Sequence, residues 1–132
     1  MKKKEFKKKV WKKFSEFIRL KECLETTGSP DFGVCVTCSH VKPYKELQAG
    51  HFIDGRGNSV LFVEDLVHIQ CYRCNCLMSG NKDSYTPYMI RRYGEEKVKK
   101  MYLLKHMSRS MSVLELEAIY QDCCQKIKEL KK

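Results

Sequence analysis

At 132 residues, 42% of them hydrophobic, the chain has room for one modest domain and not for a large multidomain enzyme. Lys plus Arg outnumber Asp plus Glu by 26 to 16, a formal net charge of +10, so a polyanion such as DNA is the natural partner. No run approaches membrane-spanning length and the lysine-rich start lacks an apolar signal stretch, so a cytoplasmic chain with no membrane role is expected.

Eight of the first thirteen residues are lysine. From about Lys4 to Glu25 the apolar residues Phe6, Val10, Trp11, Phe14, Phe17, Ile18 and Cys23 recur with a helical period, which predicts an amphipathic helix with lysines on its other face. The lysines of its first turns oppose the helix dipole, so a packing partner or bound phosphate has to compensate them. Lys8, Lys12 and Lys13 are candidate DNA contacts. Charge alone also fits a merely soluble basic protein, or a lysine helix resting on anionic lipid. Turn-forming residues from Thr26 to Asp31 then hand over to a different kind of segment.

Between Val34 and Gln70 short β-like runs alternate with turns: Val34–Val36, Leu47–Ile53, and a return through Val60–Val63 or Val67–Ile69. Asp54-Gly55-Arg56-Gly57-Asn58-Ser59 is the loop between them. Its glycines and Arg56 suit a phosphate, and equally suit any surface loop. Two Cys-x-x-Cys pairs, Cys35/Cys38 and Cys71/Cys74, stand 32 residues apart around this region. Two such turns brought together complete a four-thiolate tetrahedron, so a structural Zn2+ of the zinc-ribbon type is expected there. Such a site is closed to substrate, and its role is to hold other residues in place. Cys23, Cys76, Cys123 and Cys124 are left as thiols, or as a second metal site or disulfides.

After Cys71 a short helix is expected, ended by Ser79-Gly80-Asn81. Tyr85–Tyr93 and Glu95–Met107 read as two helices broken at Gly94, and Ser112-Val113-Leu114-Glu115 is a capping box that opens a last one. The apolar stripe of that last helix, from Val113 to Leu130, packs on the N-terminal helix or joins a second copy as a homodimer. The expected organisation is one domain, with a basic helix over 1–27, a zinc-stapled core over 33–82 and helices over 83–132.

Cleaving a DNA phosphodiester requires a base for water, a cation for the crowded negative charge and help for the leaving oxygen. One histidine with one divalent metal can supply all three. His51 sits in a β-like run, Asn75 follows the last cysteine, and the zinc would hold the two arms together. This is the layout of a ββα-metal, or HNH, finger, giving an α+β fold class in which a small zinc-stapled finger is flanked by amphipathic helices.

From Cys35 to Tyr85, and more weakly to about Tyr102, the chain resembles the phage lambda NinG (Rap) recombination nuclease family. The matching pieces are Cys35-x-x-Cys38, Gln48-Ala49-Gly50-His51-Phe52, Val67-His68-x-Gln70-Cys71-x-x-Cys74-Asn75, Ser79-Gly80-Asn81 with Tyr85, and Tyr93-Gly94-Glu95-Glu96-x-Val98. The resemblance implies a metal-dependent endonuclease acting on branched recombination intermediates such as Holliday junctions, in the host cytoplasm. It gives His51 the general-base position and Asn75 the ligand position for a catalytic Mg2+ or Mn2+. Asp54 and Asp65 are further ligand candidates, and His68 an orienting one. The chain departs from many HNH fingers at Gly50, where they carry an acidic or histidine ligand, and at Leu66, where they carry Asn. Each role has a plainer counterpart: His51 and His68 as structural hydrogen-bonding groups, Asn75 as a cap. Arg56, Arg73, Arg91 and Arg92 are candidate phosphate contacts. The rival functional expectation is a zinc-finger module that binds DNA in a recombination or replication complex without cutting it.

Overall fold

The 25-residue helix α1 (Lys3–Thr27) is the element around which the others are arranged in the computed structural model, which describes residues 2–55 and 57–132. Its buried face takes Val10, Phe14, Phe17, Ile18 and Cys23 from the apolar stripe read from the sequence, adds Leu20 and one carboxylate, Glu22, and leaves Phe6 and Trp11 half-buried. Gly28 ends it in the left-handed conformation at φ 78°, with its N–H on the Leu24 carbonyl, a backbone position that favours glycine. No side chain caps its start, so the lysine-rich first turns rely on packing.

Four short strands follow. β1 (Phe32–Val34) pairs antiparallel with β2 (Val41–Pro43), and β3 (Leu47–His51) with β4 (Val67–Cys71). In the second hairpin Leu47 stands opposite Cys71, Gly50 opposite His68 and His51 opposite Val67. Every residue of β4 is buried. Its outer edge is occupied at Ile69, whose N–H donates to Glu22 Oε1 at 2.9 Å and whose carbonyl accepts from the Val36 N–H at 3.0 Å.

The chain between β3 and β4 corrects one expectation. Asn58–Leu61 forms a short helix, α2, so Val60–Val63 is not a strand, and the return is made by the Val67 run. Val60 and Leu61 bury themselves in the core from that helical turn. A second difference lies after Cys71. The knuckle runs into a wide π-type turn over Arg73–Leu77, with the Met78 N–H on the Arg73 carbonyl at 2.8 Å. Ser79, Gly80 and Asn81 are then all left-handed, at φ 49°, 92° and 49°, which stops any continuous helix.

Helices α3 (Lys82–Tyr93), α4 (Glu95–Leu104) and α5 (Val113–Leu130) complete the chain. The Ser112 capping box forms as expected, with the Glu115 N–H on Ser112 Oγ at 3.1 Å, a cap worth about 1 kcal/mol. α5 packs along α1 and buries Leu116, Cys123 and Ile127. The main core cluster draws on α1, the β3–β4 hairpin, α3, α4 and α5 together. Among the described residues no helix is long and apolar enough to cross a membrane.

Candidate metal centre and the groove beside it

The sulfurs of Cys35, Cys38, Cys71 and Cys74 all lie within 4.8 Å of one another, with Cys38 and Cys71 3.7 Å apart. Zn–S bonds of about 2.3 Å in a tetrahedron put sulfurs about 3.8 Å apart, so the cluster is sized for one zinc ion after a small contraction. Soft thiolate donors suit zinc as well. β1 and β2 present the first knuckle, while the end of β4 and the π-type turn present the second. The thiols feel different surroundings. Burial pushes Cys35 up, yet hydrogen bonds from the Thr37 hydroxyl and the local backbone outweigh it and bring the thiol down to about 7. Burial pushes Cys38 up to about 12 and raises Cys71 as well. Asn81 Nδ2 donates to Cys74 Sγ at 3.4 Å, so the left-handed Asn81 turn supports the knuckle from outside.

An open groove of about 760 Å³ adjoins this centre, and His51, Asn75 and Asp54 all line it. The two cysteine-bearing arms bring His51 and Asn75, the two principal sequence candidates, to one surface. His51 ends β3 with its ring stacked on Trp11 of α1, centroids 4.8 Å apart, and Nε2 lies 3.2 Å from the Leu61 carbonyl. A carbonyl only accepts, so Nε2 is the donor in this contact. Asn75 sits on the π-type turn and its Nδ2 donates to Gln48 Oε1 at 2.7 Å. Asn75 is thus fixed by β3, and its oxygen remains on the Gly50 side, 3.1 Å from where a Cβ at residue 50 would stand.

That geometry accounts for Gly50. A side chain there would run into the Gln70 amide oxygen, because Gln70 is fully buried and tethered through Nε2 to Thr37 Oγ1 and to the Gly80 carbonyl. Gln70 Oε1 itself is buried with no hydrogen-bond partner among the described residues. Leu66, the other departure, is fully buried, and its carbonyl accepts from the Phe52 N–H at 2.8 Å. Leu61, supplied by the unexpected helix α2, provides the carbonyl that orients His51.

The hairpin end is held by α3. Tyr85 Oη donates to the Gly50 carbonyl at 2.7 Å and accepts from the His68 N–H at 3.1 Å, while Lys82 Nζ donates to the carbonyls of His51, at 2.9 Å, and of Phe52. Burial lowers the Lys82 pKa, partly offset by Asp54, whose carboxylate lies 3.4 Å away.

The remaining candidates fall elsewhere. His68 is fully buried, with Nδ1 2.7 Å from Glu22 Oε2 and Nε2 3.0 Å from both the Asp65 carbonyl and Tyr93 Oη, and it does not line the groove. Asp65 pairs with Lys97 at 2.8 Å, which lowers its pKa, and it does not line the groove. Lys8 and Lys12 are exposed on α1, and Lys13 pairs with Glu16 at 2.9 Å. Arg91 is exposed at the end of α3, and Arg92 donates to Tyr88 Oη and lies 3.7 Å from Glu25. Arg73 is exposed beside the zinc knuckle, while Arg56 lies outside the described residues. Sequence reasoning missed the α1 side of the groove: Trp11, Ser15 and Arg19, spaced four residues apart, form its wall, with Lys45 beside them. Trp11 was legible only as part of the apolar stripe.

The model of one protein family, described as bacteriophage lambda NinG protein, matches residues 1–132. The chain belongs to the NinG family. The match covers both flanking helical regions as well as the cysteine-bounded core, and the membership suggests a role in phage recombination. No curated protein and no solved structure matches the chain.

Proposed function

We propose that this NinG-family chain is a metal-dependent DNA endonuclease that cuts branched recombination intermediates of the Holliday-junction kind. The observation that carries the reading is the meeting of His51 and Asn75 on one groove, each held by a hydrogen bond. With Nε2–H on the Leu61 carbonyl, Nδ1 is the atom that accepts the proton of the attacking water. Stacking on Trp11 holds the ring plane, and Lys82 and Tyr85 hold the strand that bears it. Hard divalent cations take oxygen donors, and the groove offers the Asn75 amide and the Asp54 carboxylate to Mg2+ or Mn2+. Such an ion, when bound, neutralises charge on the phosphate and the leaving oxygen. Asp65 and His68 take structural roles in this reading. Lys8, Lys12, Arg73 and Arg91 contact flanking phosphates, and a homodimer would use the apolar residues that α5 leaves exposed, Val113 and Leu114.

The test is incubation of branched and linear DNA with Mg2+ or Mn2+. Cleavage by the wild type and its loss in His51→Ala supports the reading; equal cleavage by both removes His51 from the mechanism. A second reading, a DNA-binding zinc module without catalysis, is favoured by one observation. Among the described residues the four thiolates are the only group of three or more His, Cys, Asp or Glu side chains placed to share a metal. Tight, salt-sensitive binding with no nicking under either metal selects it.

A further inference from the structure

Next to the His51 groove lies a second cavity, of about 500 Å³, whose lining includes His40, Lys42, Tyr72 and Arg73. Lys45 and Gln48 line both cavities, so the two are consecutive parts of one trough. It runs from His51 past the exposed turn at Tyr44–Glu46 to the outer side of the zinc knuckle. Lys42, Lys45 and Arg73 stand along it, and among the described residues no carboxylate lies within ion-pair distance of any of them. Glu46 is the one carboxylate in the second cavity's lining. Tyr72, 55% exposed, adds an aromatic ring directly after Cys71 of the four-cysteine cluster.

We propose that this trough is the path of an unpaired DNA strand, with Lys45, Lys42 and Arg73 on successive phosphates and Tyr72 as a stacking platform for one base. The proposal rests on the nuclease reading for its starting point, a phosphate held beside His51. A row of cations following a concave path tracks a phosphate backbone of either form. The exposed ring makes the choice. Bases inside a duplex cover one another's faces, whereas an unpaired base offers its face to an aromatic side chain. A branched substrate has such nucleotides at its branch, so the trough gives the structure preference a physical basis: one strand leaves the duplex at the groove and is led away across the knuckle.

Fluorescence anisotropy with the zinc-loaded full chain and no added Mg2+ or Mn2+ tests this, using one labelled oligodeoxynucleotide as a single strand, as a blunt duplex and as a fork with one unpaired arm. Tyr72→Ala and Lys45→Ala are each expected to weaken single-strand and fork binding at least about fivefold while changing blunt-duplex affinity less than about twofold. Tyr72→Phe, which keeps the ring, retains wild-type affinity. Lys45→Ala also reduces the salt dependence of single-strand binding by about 0.7 in the log–log slope, the share of one phosphate. Zinc content and circular dichroism check that each variant is folded; Lys45 lies on a separate turn, outside both Cys-x-x-Cys segments, so it serves even where a change at Tyr72 disturbs the knuckle. Equal losses on duplex and single strand, no loss on either, or the same loss from Lys128→Ala on exposed α5 overturns the proposal. A chain that binds as described and cuts nothing keeps the trough and discards the nuclease. Cleavage that needs His51, with strand binding untouched in the Lys45 and Tyr72 variants, does the reverse.

Discussion

The imidazole of His51 lies face to face with the indole of Trp11, ring centroids 4.8 Å apart and planes 24° from parallel. A residue from the N-terminal helix is therefore part of the groove, although nearly forty residues separate the two in the chain. Removing the indole frees a ring that has to present Nδ1 in one direction. Trp11→Ala is expected to lower the turnover of the proposed cleavage about two- to tenfold, the range of an aromatic pair, and Trp11→Phe to retain most of it. Turnover rates on a forked substrate check this.

Tyr85 Oη joins Gly50 and His68, the residues that face each other across the hairpin. Tyr85→Phe keeps the ring packing but strips a hydrogen bond from each of two buried backbone groups. The expected cost is about 1–3 kcal/mol, measured by urea unfolding. Because Gly50 immediately precedes His51, turnover should fall with little change in DNA affinity. A loss confined to affinity would show that Tyr85 has no hold on the histidine.

Gly50→Ala puts a methyl group into the space held by the Gln70 amide and close to Asn75 Oδ1. Gln70 cannot swing aside without losing Thr37 and Gly80. A destabilisation of about 1–3 kcal/mol is expected. Gly50→Asp, a larger and charged side chain in the same space, should be more damaging still, and thermal melts of the two variants rank them.

Zinc stability should depend on pH with a definite sign. Cys35 is held down to about 7, so its thiolate contributes fully above its ordinary value near 9.0 and that contribution is lost as pH falls through 7. Burial raises Cys38 and Cys71, whose thiolates form only with the ion. Thiolates, not thiols, bind the ion, so acidification releases it. Zinc release followed with a colorimetric chelator should rise steadily below neutrality, accompanied by unfolding, since sites of this kind contribute about 10–16 kcal/mol to small domains at pH 7. Release that is indifferent to pH between 5 and 8 would contradict the thiolate site.

Much of the candidate site could be read from the chain because its signals are local. Cys-x-x-Cys spacing fixes two thiols on one turn wherever it occurs, and the capping box at Ser112 and the apolar stripe of α1 are equally short-range. The α1 wall of the groove was not legible. Trp11 and Arg19 reach it only through the packing of a helix on a hairpin, and in the sequence they look like any helical residues. The Val60–Val63 run failed for a related reason: its β-branched residues suit a strand, yet the tertiary core takes Val60 and Leu61 from a helical turn. Glu22 was hidden as well. It reads as one more charge on a basic helix, while in the fold it is buried against His68 and the Ile69 N–H.

That last contact bears on how the protein behaves in company. A two-stranded ribbon normally leaves an outer row of amide and carbonyl groups that can template a strand from another molecule. At Ile69 both of those groups are already occupied, the donor by the Glu22 carboxylate and the acceptor by Val36. Sheet extension across β4 is thereby blocked at its centre. At this point of β4 one copy of the chain therefore offers another no free amide or carbonyl, and Glu22→Ala, which takes the acceptor from the Ile69 N–H, is expected to raise aggregation, followed by light scattering.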